Sequence, residues 1–214
     1  MKKFFCLLAA ASLLLGMLTA CEPDCGDDEP VKAMKPVIYL YPAEPTCVSV
    51  ELDFDGTLTA TYPAYIDGWT VDAAPDGTLT DPATGREYYC LFWEGEANSP
   101  YDLSNGFVVA GDETAAFLED TLAKLGLTDK EANEFIIYWL PRMEGNAYNL
   151  ISFQQEAYTD QARMTVSPTP DTVIRVFMAW QSLDAPIEIS PQALTAPTRE
   201  GFTLVEWGGA EITG

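Results

Sequence analysis

The chain has 214 residues, with 11 Lys plus Arg against 33 Asp plus Glu, no His, and a formal net charge of −22. A hydrophobic share of 48% with 12% aromatics is ample for a packed core and excludes an intrinsically disordered chain. The absence of histidine removes Ser-His-Asp and Cys-His catalysis and His-ligated zinc or iron, and so acidic a chain lacks the clustered Lys and Arg that nucleic acid requires.

The first twenty residues read as an export signal: Lys2 and Lys3, an apolar run from Phe4 to Leu18, then small residues. The run is shorter than the ~20 residues that span a bilayer. Leu18-Thr19-Ala20-Cys21 looks like the lipobox of bacterial lipoproteins, which implies cleavage before Cys21 and acylation of that cysteine, with palmitate-type chains holding the protein on a membrane. The expected layout is signal peptide 1–20, acidic tether 21–35 and a single folded domain 36–214. The tether carries Glu22, Asp24, Asp27, Asp28 and Glu29 with two prolines, so self-repulsion keeps it extended. Cys25, Cys47 and Cys90 remain after cleavage and lipidation; a Cys47–Cys90 bridge and two free thiols both fit the sequence.

From Val37 onward the apolar pattern has mostly period two. Val48, Val50, Leu52 and Phe54 alternate with Ser49, Glu51 and Asp53, predicting one buried and one wet face. Turns are expected at Asp55-Gly56, Asp67-Gly68, Pro75-Asp76-Gly77 and from Asp81 to Gly85, followed by a strand from Glu87 to Trp93. Asp-Gly-Thr-Leu-Thr occurs twice, starting at Asp55 and Asp76, and reads as one hairpin chemistry used twice. The main predicted helix runs from Asp112 to Leu125, with an acidic start, a Phe117-Leu118-Leu122-Leu125 stripe and Gly126 as left-handed cap. Thr128 to Glu131 is a capping box opening a short helix. Phe135 to Leu140, apolar throughout and closed by Pro141, reads as a central strand. Strands at Asn149–Gln154, Met164–Val166, Thr172–Trp180 and Thr203–Trp207 follow, with a short helix near Ala157–Ala162. The fold class is α+β: mainly antiparallel sheet, with an N-terminal β-meander and one main helix packed on it.

Leu52-Asp53-Phe54-Asp55-Gly56-Thr57 looks like the first motif of haloacid-dehalogenase-type phosphatases, with Asp53 as nucleophile and Asp55 as general acid. Its context argues against that chemistry. Ser49 and Glu51 break the apolar run that should precede the aspartate, Lys124 follows rather than precedes Asp112-Glu113, and the second copy follows Pro75 as a turn. A calcium loop lacks its further ligands, so no metal or cofactor is expected. A second cluster follows Leu140: Arg142, Glu144, Asn146, Asn149, Gln154 and Glu156, beside Trp139 and Tyr148. With Glu94 nearby, a carboxylate pair and aromatic platforms such as Trp93 and Trp139 would suit a carbohydrate. A plain hairpin loop in which Arg142 pairs with Glu144 is the simpler alternative.

The blocks Lys35-Pro-Val-Ile-Tyr-Leu-Tyr-Pro42, Leu91-Phe-Trp-Glu-Gly95, Tyr138-Trp-Leu-Pro141, Asn149-Leu-Ile-Ser-Phe-Gln154 and Glu206-Trp-Gly-Gly209 resemble a family of secreted or lipid-anchored bacterial proteins of unknown function. The resemblance spans Lys35 to Trp207 and transfers no activity. The resulting expectation is a lipid-anchored cell-envelope protein, facing outside the cytoplasm, whose domain binds a carbohydrate or peptide through Arg142, Trp93, Trp139 and Gln154. The alternatives are a hydrolase using Glu94, Glu144 and Glu156, and a structural subunit docking on an envelope protein.

Overall fold

Eight consecutive buried residues in one strand, Thr203 to Ala210, require protein on both faces of the sheet that contains them. The computed structural model describes residues 30–98 and 101–213 and meets that requirement with three layers. The expected signal peptide, Cys21, Cys25 and most of the tether lie outside the described residues.

The middle layer is a seven-stranded sheet. In chain order its strands are β1 (Val31–Tyr41), β3 (Thr57–Tyr62), β7 (Leu91–Ala97), β8 (Phe107–Ala110), β9 (Tyr148–Phe153), β11 (Thr172–Leu183) and β12 (Thr203–Glu211), in the spatial order β3-β7-β1-β12-β11-β9-β8. Among the strand pairs of the described residues, β11–β12 at the centre is parallel and the others are antiparallel. A second layer has five strands: β2 (Thr46–Phe54), β4 (Trp69–Ala73), β5 (Leu79–Thr80), β6 (Glu87–Tyr88) and β10 (Ala162–Ser167), in the order β10-β2-β4-β5-β6. The third layer holds α1 (Thr114–Lys124) and α2 (Asp129–Met143), while a short α3 (Glu156–Gln161) leads into β10. The chain is thus an α+β protein dominated by antiparallel strands, and its first expected strand begins earlier than Pro36, taking Val31–Lys35 from the expected tether.

Alternation along the central strands feeds two cores. Ile38, Leu40, Phe177, Ala179 and Leu204 face the second sheet and meet Val48, Val50, Leu52, Trp69 and Val71. Their neighbours Val37, Tyr39, Val176, Met178, Val205 and Trp207 face the helices and meet Leu118, Leu122, Phe135, Trp139 and Met143. The period-two reading of β2 holds, since Val48, Val50 and Leu52 are buried between exposed Cys47, Glu51 and Asp53. Cys47 and Cys90 are free thiols, one exposed and one buried.

Two local expectations are corrected. Phe135 to Leu140 is not a central strand but the middle of α2. The capping box predicted there is complete, with Thr128 Oγ1 accepting from Glu131 N–H and Glu131 Oε2 accepting from Thr128 N–H, and it opens a helix of 15 residues. Spacing of three and four then buries Ala132, Phe135, Trp139 and Met143, leaving Ile137 65% exposed on the far side. Pro141 sits in the last turn instead of closing a strand. The repeated Asp-Gly-Thr-Leu-Thr also serves two purposes. At Asp76 it is a hairpin turn joining β4 to β5, with Asp76 Oδ1 accepting from Thr78 N–H at 2.9 Å and Gly77 at φ +89°. At Asp55 it carries the chain from one sheet to the other, because β3 pairs with β7 and not with β2. Asp53 there is exposed on the outer face of antiparallel β2 and accepts from Arg163 Nε and Nη2, a context foreign to a buried phosphatase nucleophile.

Candidate functional site

The helices cover the middle sheet from β1 across to β8, and beyond their other edge β7 presents Phe92 and Glu94 to the open side while Leu91 and Trp93 face the inner core. β1 changes register here against both neighbours, between Ala33 and Val37 on the β7 side and between Met34 and Val37 on the β12 side. Within that bulge Lys35 takes φ +58°, a left-handed conformation that costs a lysine about 1–3 kcal/mol. The distortion turns Lys35 N–H onto Glu94 Oε1 at 3.2 Å and carries its ammonium to 5.7 Å from the ring centroids of both Phe92 and Tyr138.

The cleft at this point has a volume of about 580 Å³, within the range of small-molecule sites. Tyr62, Tyr88, Tyr89, Phe92 and Tyr138 supply its walls, and Lys35, Glu87 and Glu94 its charges. Tyr62 and Tyr89 are 50% and 54% exposed, so two flat apolar ring surfaces stand open to a ligand. Tyr62 is fixed edge-on against Tyr88 at 5.5 Å between centroids. Arg86 lies over both rings, and Arg142 lies over Tyr138 at 4.1 Å while also donating to the Tyr138 carbonyl. Burial raises the Tyr138 phenol, with Arg142 opposing and Glu94 adding to the shift. Below these rings Tyr39 donates its hydroxyl to Glu134 at 2.6 Å. Cys90 also borders the cleft, and burial pushes its thiol up to about 11, so at neutral pH it is a small apolar group rather than a nucleophile.

The expected site residues scatter. Glu94 lines the cleft with Tyr138, and Arg142 lies over that same ring. Arg142, however, lies in the last turn of α2, not in a hairpin loop, and it stacks on Tyr138 instead of pairing with Glu144. Glu144 is an exposed residue at the C-terminal end of α2, and Glu156 is exposed at the start of α3, bordering shallow depressions apart from the aromatic cleft. These three carboxylates therefore do not form the acid/base pair considered for them. Trp93 and Trp139 are both 0% exposed and belong to the two cores, which corrects their assignment as binding platforms. Gln154 is buried too: its amide donates to the Asp102 carbonyl at 2.8 Å and to Ser152 Oγ at 2.9 Å, a brace for the loop before β8. The sequence reading passed over Lys35, Glu87 and the four cleft tyrosines. A break in alternation at Tyr89-Cys90 and the Lys35-Pro36 pair were the available signals. Among the described residues no group of three or more Cys, Asp and Glu is placed to hold a metal ion, and no helix is long and apolar enough to cross a membrane.

A three-layer α+β domain with an aromatic, mixed-charge cleft at the margin of its helical layer is the class of protein these features define. No protein-family model and no solved structure matches the chain. It is similar to a protein of Butyrivibrio fibrisolvens described as an uncharacterized protein in the bglA 3' region, with 40% identity over 92 residues that cover 40% of this chain and 88% of that protein. The chain belongs to the family of that protein, whose description names no activity.

Proposed function

We propose that this chain is a lipid-anchored protein of the bacterial cell envelope whose folded domain binds carbohydrate in the cleft around Lys35, Glu94 and Tyr138. The cleft carries the reading. Open tyrosine faces present flat, polarisable surfaces to the C–H faces of a pyranose ring, and charged groups beside them accept and donate hydrogen bonds to hydroxyls. Anchoring rests on the lipobox-like Leu18-Thr19-Ala20-Cys21 after a charged head and apolar run.

Calorimetric titration with a panel of cell-wall and plant-wall oligosaccharides tests the binding claim. Tyr89→Ala is expected to weaken the best ligand by about tenfold, the effect of losing one aromatic contact of roughly 1–1.5 kcal/mol, with the fold intact. If peptides bind and no saccharide does, the ligand class is wrong. Glu87 and Glu94 share the cleft, so a carboxylate hydrolase is the second reading. The same titrations are assayed for released product, and turnover abolished by Glu94→Gln would replace binding by hydrolysis.

Anchoring has its own test. Cys21→Ala is expected to move the protein from the membrane fraction to the soluble fraction, because each buried acyl methylene contributes about 0.8 kcal/mol and nothing replaces the chains. A variant that stays fully with the membrane refutes the anchor.

A further inference from the structure

The basic residues are unevenly placed for so acidic a chain. Lys32, Lys124, Arg163, Arg175 and Arg199 each hold a carboxylate in an ion pair. Among the described residues Lys35, Arg86, Lys130 and Arg142 hold none, and three of these four lie over rings that wall the one aromatic cleft described above: Lys35 over Phe92 and Tyr138, Arg86 over Tyr62 and Tyr88, Arg142 over Tyr138. In a chain with 33 acidic residues, three of those four unpaired cations gather around this one cleft, which concentrates there the positive charge left free for a ligand.

The nearby carboxylates are turned elsewhere: Glu94 accepts from Lys35 N–H and Glu134 from the Tyr39 hydroxyl, Glu87 is exposed at the rim, and none lies within ion-pair distance of the Lys35, Arg86 or Arg142 side chains. Stacking holds the two guanidinium groups by their faces and leaves N–H donors at their edges, one of which Arg142 already gives to the Tyr138 carbonyl, while the Lys35 ammonium keeps its three donors. A guanidinium so placed suits a planar carboxylate, which it meets through two parallel hydrogen bonds. The repulsion of the rest of the chain is felt little here, because charges more than about 8–10 Å away are largely screened at physiological salt.

From this arrangement we infer that the saccharide taken by the cleft is an acidic one, a hexuronic acid unit whose ring lies on the tyrosine faces and whose carboxylate meets Lys35, Arg86 and Arg142. This rests on the carbohydrate reading above and narrows it to one substrate class.

The probe is a tetramer of galacturonic acid, titrated into the full-length chain beside its methyl ester, which keeps ring, linkage and length and removes only the charge. The free acid is expected to bind at least about tenfold more tightly, the effect of a hydrogen bond to a charged group. Arg86→Gln and Arg142→Gln are both exposed substitutions and are expected to keep the melting temperature while erasing that preference; Lys35→Gln is read only where its melting temperature is unchanged. Equal or tighter binding of the ester overturns the inference and leaves carbohydrate binding standing. A preference for the acid that survives both Arg substitutions overturns the assignment to this cleft. Failure of both oligomers, and of every neutral saccharide, overturns the carbohydrate reading itself.

Discussion

Glu206→Leu is expected to lower the unfolding free energy by about 3–5 kcal/mol, the effect of leaving a buried charge without its partner. Glu206 lies on β12 facing the space between the two sheets, fully buried, and its two carboxylate oxygens are both used. Oε2 accepts from Arg175 Nε at 2.6 Å, and Oε1 accepts from Trp93 Nε1 at 3.1 Å. Arg175 on the adjacent β11 has a side chain only 9% exposed and lies 4.8 Å from the ring of Tyr158, itself stacked on Phe177. Burial pulls the guanidinium down, but Glu206 and Tyr158 more than offset it and its pKa is raised, so Arg175 keeps its charge inside the core. Leucine removes the carboxylate and strands both the guanidinium and the Trp93 N–H in an apolar layer. Urea unfolding monitored by tryptophan fluorescence measures the loss, which is a large part of the 5–15 kcal/mol typical of a domain. The double variant Arg175→Met with Glu206→Leu is expected to recover most of it, because the desolvation of both charges disappears together. A single variant within about 1 kcal/mol of the parent refutes the argument, as does a double variant no better than the single.

This pair also shows where sequence reading stops. Glu206 is the one charge in a run of buried residues, and nothing in the local pattern tells a core carboxylate from an edge one without knowing that Arg175 lies across the β11–β12 register. Elements governed by local chemistry were legible: the β2 alternation, the α1 stripe with its Gly126 cap, and the Thr128–Glu131 capping box. Phe135 to Leu140 was misread because a short, fully apolar run satisfies a buried strand and the wide face of a buried helix alike, and length alone separates them. The capping box immediately upstream was the better guide, since it commits the chain to helix before the ambiguous run begins.

The site divides in the same way. Glu94 and Arg142 were singled out because a charge beside aromatic residues stands out in a sequence, and both lie beside Tyr138. Trp93 was assigned to the wrong face although Leu91 and Trp93 share a side by simple alternation, and Leu91 belongs inside. Lys35 was hidden by its neighbours: it follows an acidic stretch and precedes a proline, which reads as the end of a tether. Its role depends on a bulge set by pairing to strands about sixty residues and more away.

Raising the pH is expected to unfold the protein from about pH 10 upward. Burial raises the pKa of Tyr39, Tyr101 and Tyr158 well above the usual phenol value, and holds Cys90 near 11 against 9.0 when free. All are acids whose folded pKa is raised, so the folded state keeps protons that the unfolded state gives up. Stability is then complete below the unfolded values and falls as pH climbs toward the folded ones. One pH unit past the unfolded value removes about 1.4 kcal/mol per group, so three buried tyrosines together remove on the order of 4 kcal/mol by pH 11. Tyrosinate absorbance followed with far-ultraviolet circular dichroism separates the contributions. The buried rings are expected to ionise in one step coincident with loss of secondary structure. A smooth titration of every tyrosine through pH 11 with the fold intact contradicts this account. Tyr158→Phe sharpens the test: its hydroxyl has no hydrogen-bond partner among the described residues, so removing it leaves packing on Phe177 in place while deleting one ionisable group. The alkaline midpoint of that variant is therefore expected to move upward, whereas Tyr39→Phe deletes a group of the same kind but also breaks the bond to Glu134 beneath the cleft, and gains less.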